Sequence, residues 1–274
     1  MTLPANFVFS AKSLQSYVDC PRRFQLRYIE GWRPPTMTAS NTADELAYEA
    51  RLRQGAKLHH FAKLSQQGVP QDMLKAAIKG EDAAQWFDKL LSNGLSGLPE
   101  KRLPEKRLET TLNGLRLMAQ FDLIAYDPGG DLVIVDWKTG DTMPGRETLR
   151  QRLQTIVYLY VAAQAGERLM GEPLSPERVH LVYAYLARGG QRNSFTYSHL
   201  DMLADAGRLT DLMGEIKRAD DFPLTTNHSH CRFCAFRVQC ERGEAGSLDD
   251  VDYDDVDEAD EAELGFEQIG EFGF

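Results

Sequence analysis

The chain has 274 residues, 42% of them hydrophobic and 26% charged, with a formal net charge of −10 and four cysteines. A chain of this length buries a core without covalent staples, and no apolar run approaches the roughly 18 residues of a membrane helix, so transmembrane, collagen-like, secreted disulfide-rich and wholly disordered classes are excluded. The opening MTLPANFVFS has no basic segment followed by an apolar one, so no secretory signal is expected and the cytoplasm is the expected location.

In chain order, residues 10–29 read as helix with Ser13 as N-cap and a break near Pro21. Residues 43–67 read as a long helix with Leu46, Leu58, Phe61 and Leu64 on its apolar side. Two shorter helices fill 71–93. The hydrophobic period then changes, and 107–112, 115–126 and 132–137 read as strands. Asn113-Gly114 signals a tight hairpin between the first two, and Asp127-Pro-Gly-Gly130 turns into the third. Helix returns over 147–165, strand over 178–187, and helix over 198–219 with Ser198 as N-cap. Antiparallel hairpins followed by a helical crossover to a parallel strand give a mixed α/β sheet flanked by helices.

The charge is unevenly spread. Residues 243–274 carry thirteen acidic side chains and no Lys or Arg, leaving 31 basic against 28 acidic residues in 1–242. The run from Asp249 to Glu263 repels itself and is expected to stay disordered and solvated. This divides the chain into a body, 1–242, and an acidic tail, 243–274. The closing FEQIGEFGF interleaves apolar and acidic groups, as a peptide docking on a protein partner, or on the body's own basic groove, would do.

Asp122 falls in the second strand, and Asp136 and Lys138 near the end of the third. Alternation puts Asp136 and Lys138 on one face, and the hairpin brings Asp122 beside them. Carboxylates that close repel unless a cation or a proton intervenes. A divalent ion resolves the conflict, with the lysine orienting a water and stabilising developing charge. A surface ion pair between Asp136 and Lys138 is the plain alternative. One helix later, Gln154 and Tyr158 share a helical face through their i,i+4 spacing, and Gly55-Ala-Lys-Leu-His59 places a histidine on the long helix.

Together, Gly55-x-x-x-His59, Asp122, Asp136-Trp137-Lys138 and Gln154-x-x-x-Tyr158 resemble the RecB-like branch of the PD-(D/E)xK nuclease superfamily over residues 10–242. The resemblance implies a restriction-endonuclease-like fold. It also implies a Mg²⁺- or Mn²⁺-dependent deoxyribonuclease, acting on single strands or ends as an exonuclease. His59, Asp122, Asp136 and the Trp137 carbonyl would hold the metal, Lys138 would be catalytic, and Gln154 and Tyr158 would position the strand. DNA is the implied partner, in repair or recombination with a helicase or in CRISPR- or phage-related processing with an integration complex. No Pro precedes Asp122, the second carboxylate is Asp rather than Glu, and position 137 is a bulky Trp. A non-catalytic DNA-binding adaptor on the same fold is the alternative.

Cys231, Cys234 and Cys240 form C-x₂-C-x₅-C, and Cys20 lies 211 positions earlier. In a cytosolic chain such thiols point to a soft metal or cluster rather than disulfides. Zinc, with His228 and His230 as further ligands, stays open. One distant cysteine plus three clustered ones, within Tyr17-x-x-Cys20-Pro21-x-x-Phe24, resembles the iron–sulfur clasp of the AddB nuclease domain and of CRISPR-associated RecB-like exonucleases. That implies a 4Fe-4S cluster stapling the N-terminal helix to the C-terminal segment. Tyr17, Phe24, Phe233 and Phe236 either stack on bases or pack around the cluster, and Arg22, Arg23, Arg27, Arg232 and Arg237 either contact phosphates or form a solvated face.

Overall fold

Ser10 and Ser13 start the first helix together. Ser13 N donates to Ser10 Oγ at 3.2 Å and Ser10 N to Ser13 Oγ at 2.9 Å, a reciprocal box that satisfies two otherwise orphaned amides. In the computed structural model, which describes residues 3–33 and 43–242, the cap is therefore Ser10 and not Ser13. Serines three apart make both choices compatible with the sequence, and the buried strand residue Phe9 fixes where the chain turns.

A short strand β1 (Val8–Phe9) precedes helices α1 (Ala11–Asp19) and α2 (Pro21–Phe24). Pro21 occupies the first turn of α2, where its missing N–H costs nothing. Then come α3 (Ala43–Gln66), α4 (Gln71–Ala77) and α5 (Glu81–Lys89). Strands β2 (Lys101–Leu112), β3 (Leu115–Tyr126) and β4 (Leu132–Lys138) follow. Helices α6 (Arg146–Gln151), α7 (Leu153–Ala165) and α8 (Glu167–Met170) lead to β5 (Val179–Tyr185), β6 (Gln191–Thr196) and α9 (His199–Arg218). Ser198 caps α9 through a second capping box with Asp201. None of these helices is long and apolar enough to cross a membrane. The acidic tail from residue 243 lies outside the described residues.

The sheet runs β1-β3-β4-β5-β6, with β2 on the other edge of β3. β2–β3, β3–β4 and β5–β6 are antiparallel; β1–β3 and β4–β5 are parallel. The expected mixed sheet with one parallel crossover is therefore present. Helices cover both faces. On one side, the aliphatic and aromatic residues of α1, α7 and α9 form the larger core with Phe121, Ile134, Tyr183 and Phe195. On the other, Leu58 and Ala62 of α3 and Trp86 and Phe87 of α5 pack on Leu123, Val135 and Trp137. α7 is buried nearly all round, as a helix apolar on every side must be.

Several boundaries depart from the sequence reading. β2 starts six residues earlier than expected, at Lys101, and carries Pro104. An edge strand tolerates proline because one row of its amides has no ladder partner. The helix expected over 147–165 is broken at Arg152, whose backbone is extended (ψ 141°). Leu46 is 49% exposed rather than packed. The strands β1 and β6 lacked a signal, β1 because it has two residues and β6 because QRNSFT is mostly polar.

Candidate active site

The Asn113-Gly114 hairpin fixes a register running from Leu112 opposite Leu115 to Lys101 opposite Tyr126. Continued through Pro104–Leu123 and Lys106–Phe121, it sets Glu105 opposite Asp122. The β3–β4 ladder ends at Leu123 opposite Val135, so Asp122 and Asp136 occupy the next row, where the strands part. β5 continues that row with Tyr183 beside Asp136. Three carboxylates on adjacent strands thus fall in one row.

Alternation changes phase at this row. Leu117, Ala119 and Phe121 pack on the α7 side, Leu123 on the α3 side, and Ile124 on the α7 side again. Glu105, opposite, has φ +50°, a backbone conformation uncommon outside glycine. The distortion lets the site take side chains from both helical layers.

From α3, His59 Nδ1 lies 3.1 Å from Asp122 Oδ1. The other Asp122 oxygen accepts the Trp137 amide at 2.9 Å. His59, Glu105 and Asp122 can bring one ligand atom each within 4.8 Å of one another, a group able to hold a metal ion. From α7, Gln154 bridges the opposite charges: its Nε2 donates to Asp136 Oδ1 at 3.1 Å, and its Oε1 accepts from Lys138 Nζ at 3.2 Å. Gln154 Nε2 also reaches the Tyr158 hydroxyl at 3.4 Å. Lys138 Nζ sits 3.1 Å from Asp136 Oδ2, an ion pair outside hydrogen-bond alignment.

Lys138 is 1% and Asp136 3% exposed, so these charges are costly unless matched. Burial drives the Asp136 carboxyl up to about 7; Lys138 pulls it down, and the Asp122 charge pushes it further up. Burial also raises Asp122, but His59, the Trp137 amide and Lys138 outweigh it and hold Asp122 below the ordinary carboxylate value. Two neighbouring carboxylates titrating apart in this way leave one in want of a cation or a proton.

All the side chains singled out in the sequence therefore meet: His59, Asp122, Asp136, Lys138, Gln154 and Tyr158. His59, rather than the adjacent His60, faces Asp122; His60 packs its ring toward Phe61 instead. Trp137 is wholly buried on the α3 side, its ring 6.3 Å from that of His59, which accounts for its bulk. The sequence reading missed Glu105, which the hairpin register would have exposed had β2 been extended past Arg107. It also missed Tyr183 and Thr155, which touch Gln154 and carry no motif.

The four cysteines line one small concavity with Arg23, His230 and Phe236. None forms a disulfide. Burial raises the Cys234 thiol, and the charges of Cys20 and Cys231 push it further. α2 also meets the segment after α9 without them: Arg22 N donates to Pro223 O at 3.1 Å, and Phe24 stacks on Phe222 at 6.1 Å. Phe24 and Phe236 are buried, so they pack within the fold rather than offer an exposed face to a base. Arg22 pairs with Glu30, and Arg23 with Asp19.

The sequence profile of the PD-(D/E)XK nuclease superfamily matches residues 8–241, and the chain belongs to that superfamily. Its nucleases use divalent metals. Among solved structures, the chain is similar to a candidate exonuclease from Eubacterium rectale, at 10% identity and TM-score 0.47, covering 89% of this chain and 86% of that one. It is also similar to SSO0001, at 16% identity and TM-score 0.40, covering 85% of each chain. No curated protein matches.

Proposed function

We propose that the chain is a RecB-like, metal-dependent deoxyribonuclease that degrades single-stranded DNA from free ends. The observation that carries this reading is the convergence of His59, Asp122 and Asp136 with Lys138 and Gln154 at one sheet edge. A scaffold has no use for a buried lysine held between a carboxylate and an amide, since such a group costs stability.

His59, Asp122, Asp136 and the Trp137 main-chain carbonyl, with Glu105 alongside, would hold Mg²⁺ or Mn²⁺, which when bound supplies charge neutralisation at the phosphate and a more acidic water. The donor set suits a hard cation, because it is dominated by carboxylate oxygens. Lys138 presents a fixed positive charge where negative charge builds on the phosphate oxygens. Gln154 holds that amine and Asp136 in one geometry, so neither needs to reorganise during reaction. Asp136, with a carboxyl lifted to about 7, is able to carry a proton at neutral pH before the cation arrives.

The second part of the reading is a 4Fe-4S cluster on Cys20, Cys231, Cys234 and Cys240. Their shared concavity and the use of every cysteine in the chain support it. The cluster would staple α2 to the C-terminal segment and act structurally.

The test is anaerobic incubation of the full chain with Mn²⁺ or Mg²⁺ and end-labelled single strands, linear and circular. Linear strands should be degraded and circular ones spared, and Lys138→Ala should lose cleavage while keeping DNA binding. Binding without cleavage by the wild type would favour the adaptor instead.

A further inference from the structure

Behind the site, Tyr183 of β5 is the ladder partner of Asp136 and is fully buried, as is Thr155 of α7. The Tyr183 hydroxyl lies 3.3 Å from Gln154 Oε1 and 2.8 Å from Thr155 Oγ1. Its ring lies under the Lys138 amine, with the centroid 5.6 Å from Nζ. Tyr183 therefore touches both partners of the Lys138–Gln154 contact.

Counting protons gives the direction of this chain. The Gln154 amide has two N–H donors and one carbonyl oxygen with two lone pairs. The donors face Asp136 and Tyr158; the oxygen faces Lys138 and Tyr183. A flipped amide would set N–H against the ammonium and C=O against the carboxylate, so the charges fix its orientation. Thr155 has one hydroxyl proton and two acceptors in reach, Leu149 O at 2.6 Å and Tyr183 at 2.8 Å. Leu149 O already accepts the Arg152 amide at 3.2 Å. A carbonyl oxygen has two lone pairs, so Leu149 O also takes the Thr155 proton, and the Tyr183 proton is shared between Thr155 Oγ1 and Gln154 Oε1.

We infer that Tyr183 and Thr155 are a positioning pair: through Gln154 they fix where the Lys138 amine stands, without touching substrate or metal. The inference rests on the proposed role of Lys138 in phosphodiester cleavage. Its anchor is the break between α6 and α7, because Thr155 in the first turn of α7 donates to Leu149 O in the last turn of α6.

Tyr183→Phe keeps the ring and removes only the hydroxyl; Thr155→Val does the same for threonine, and Thr155→Ser restores the hydroxyl. On linear single-stranded DNA, kcat should fall about tenfold in the first two variants, with KM essentially unchanged. Thr155→Ser should recover most of the rate, and the Tyr183→Phe/Thr155→Val double variant should be no slower than Tyr183→Phe alone. A second readout needs no catalysis. In the metal-free protein, NMR should show the Gln154 side-chain amide protected from hydrogen exchange, its resonances identified by their loss in Gln154→Glu. Tyr183→Phe should speed that exchange about tenfold or more. Unchanged exchange, wild-type kcat in Tyr183→Phe, or additive losses in the double variant would each overturn the pair. If the wild type cleaves no DNA, the functional reading fails, and the exchange measurement still decides the positioning claim.

Discussion

Asp122 replaces a rung of the sheet for Trp137. The β3–β4 ladder stops at Leu123 and Val135, and the next amide, that of Trp137, is taken by Asp122 Oδ2 at 2.9 Å. The carboxylate thus links the two strands where their ladder ends, while its other oxygen faces His59. Asp122→Asn keeps an acceptor for that amide and should unfold near wild type. Asp122→Ala strands a buried N–H and should cost about 1–3 kcal/mol. Denaturant unfolding of both variants checks this: equal stability would mean that the amide bond carries no structural weight. Both variants should lose cleavage.

Asp136 gives the folded chain a distinctive pH dependence. Its carboxyl titrates near 7 in the fold, against 3.8 ordinarily, chiefly because it is buried. Between those values the folded state holds a proton that the unfolded state has released. Stability from this group is therefore complete below about pH 4 and is lost as pH rises through about 7. Asp136→Asn removes the titration, so its stability relative to wild type should climb across that window, by a few kcal/mol at most. Thermal unfolding of metal-free protein at pH 5 and 8 reads the difference; a constant gap would refute it. Added Mn²⁺ should stabilise wild type more at pH 8 than at pH 5, because the ion must displace the proton at low pH.

Much of this site was legible in the sequence, and the reasons are local. Strict alternation in β4 put Asp136 and Lys138 on one face, and helical spacing put Gln154 and Tyr158 on another. What escaped depends on long-range register or on packing. Glu105 sits beyond a proline in an edge strand rich in Lys and Arg, a composition that reads as loop. The phase change at Asp122 leaves no trace in residue type, because apolar residues flank it in both phases. Tyr183 and Thr155 look like core residues, and only the sheet order brings them to Gln154.

Glu105 is the residue whose role is most open to measurement. Its carboxylate completes a group with His59 and Asp122, and Gln120 Nε2 donates to its Oε2 at 2.9 Å. Glu105→Gln preserves size and hydrogen bonding while removing the charge. Mn²⁺ affinity, measured by calorimetry without DNA, should fall at least about tenfold, since loss of even an outer partner of a metal ligand costs that much. Unchanged affinity would leave the ion to His59, Asp122 and Asp136 alone.

The cysteine concavity makes a prediction independent of cleavage. Burial, and after it the neighbouring cysteines, raises the Cys234 and Cys240 thiols, so a bound soft metal or cluster must displace their protons. Protein purified without oxygen should be brown and carry iron and sulfide, and Cys234→Ser should lose both. The variant should not unfold as a whole, because Phe24 on Phe222 and Arg22 on Pro223 still join α2 to the segment after α9. Instead the segment after Pro223 should loosen, and brief trypsin treatment should cut at Arg232 or Arg237 far faster than in wild type. A colourless wild type with one zinc per chain would replace the cluster by zinc. Equal proteolysis of variant and wild type would show that aromatic packing alone holds the segment.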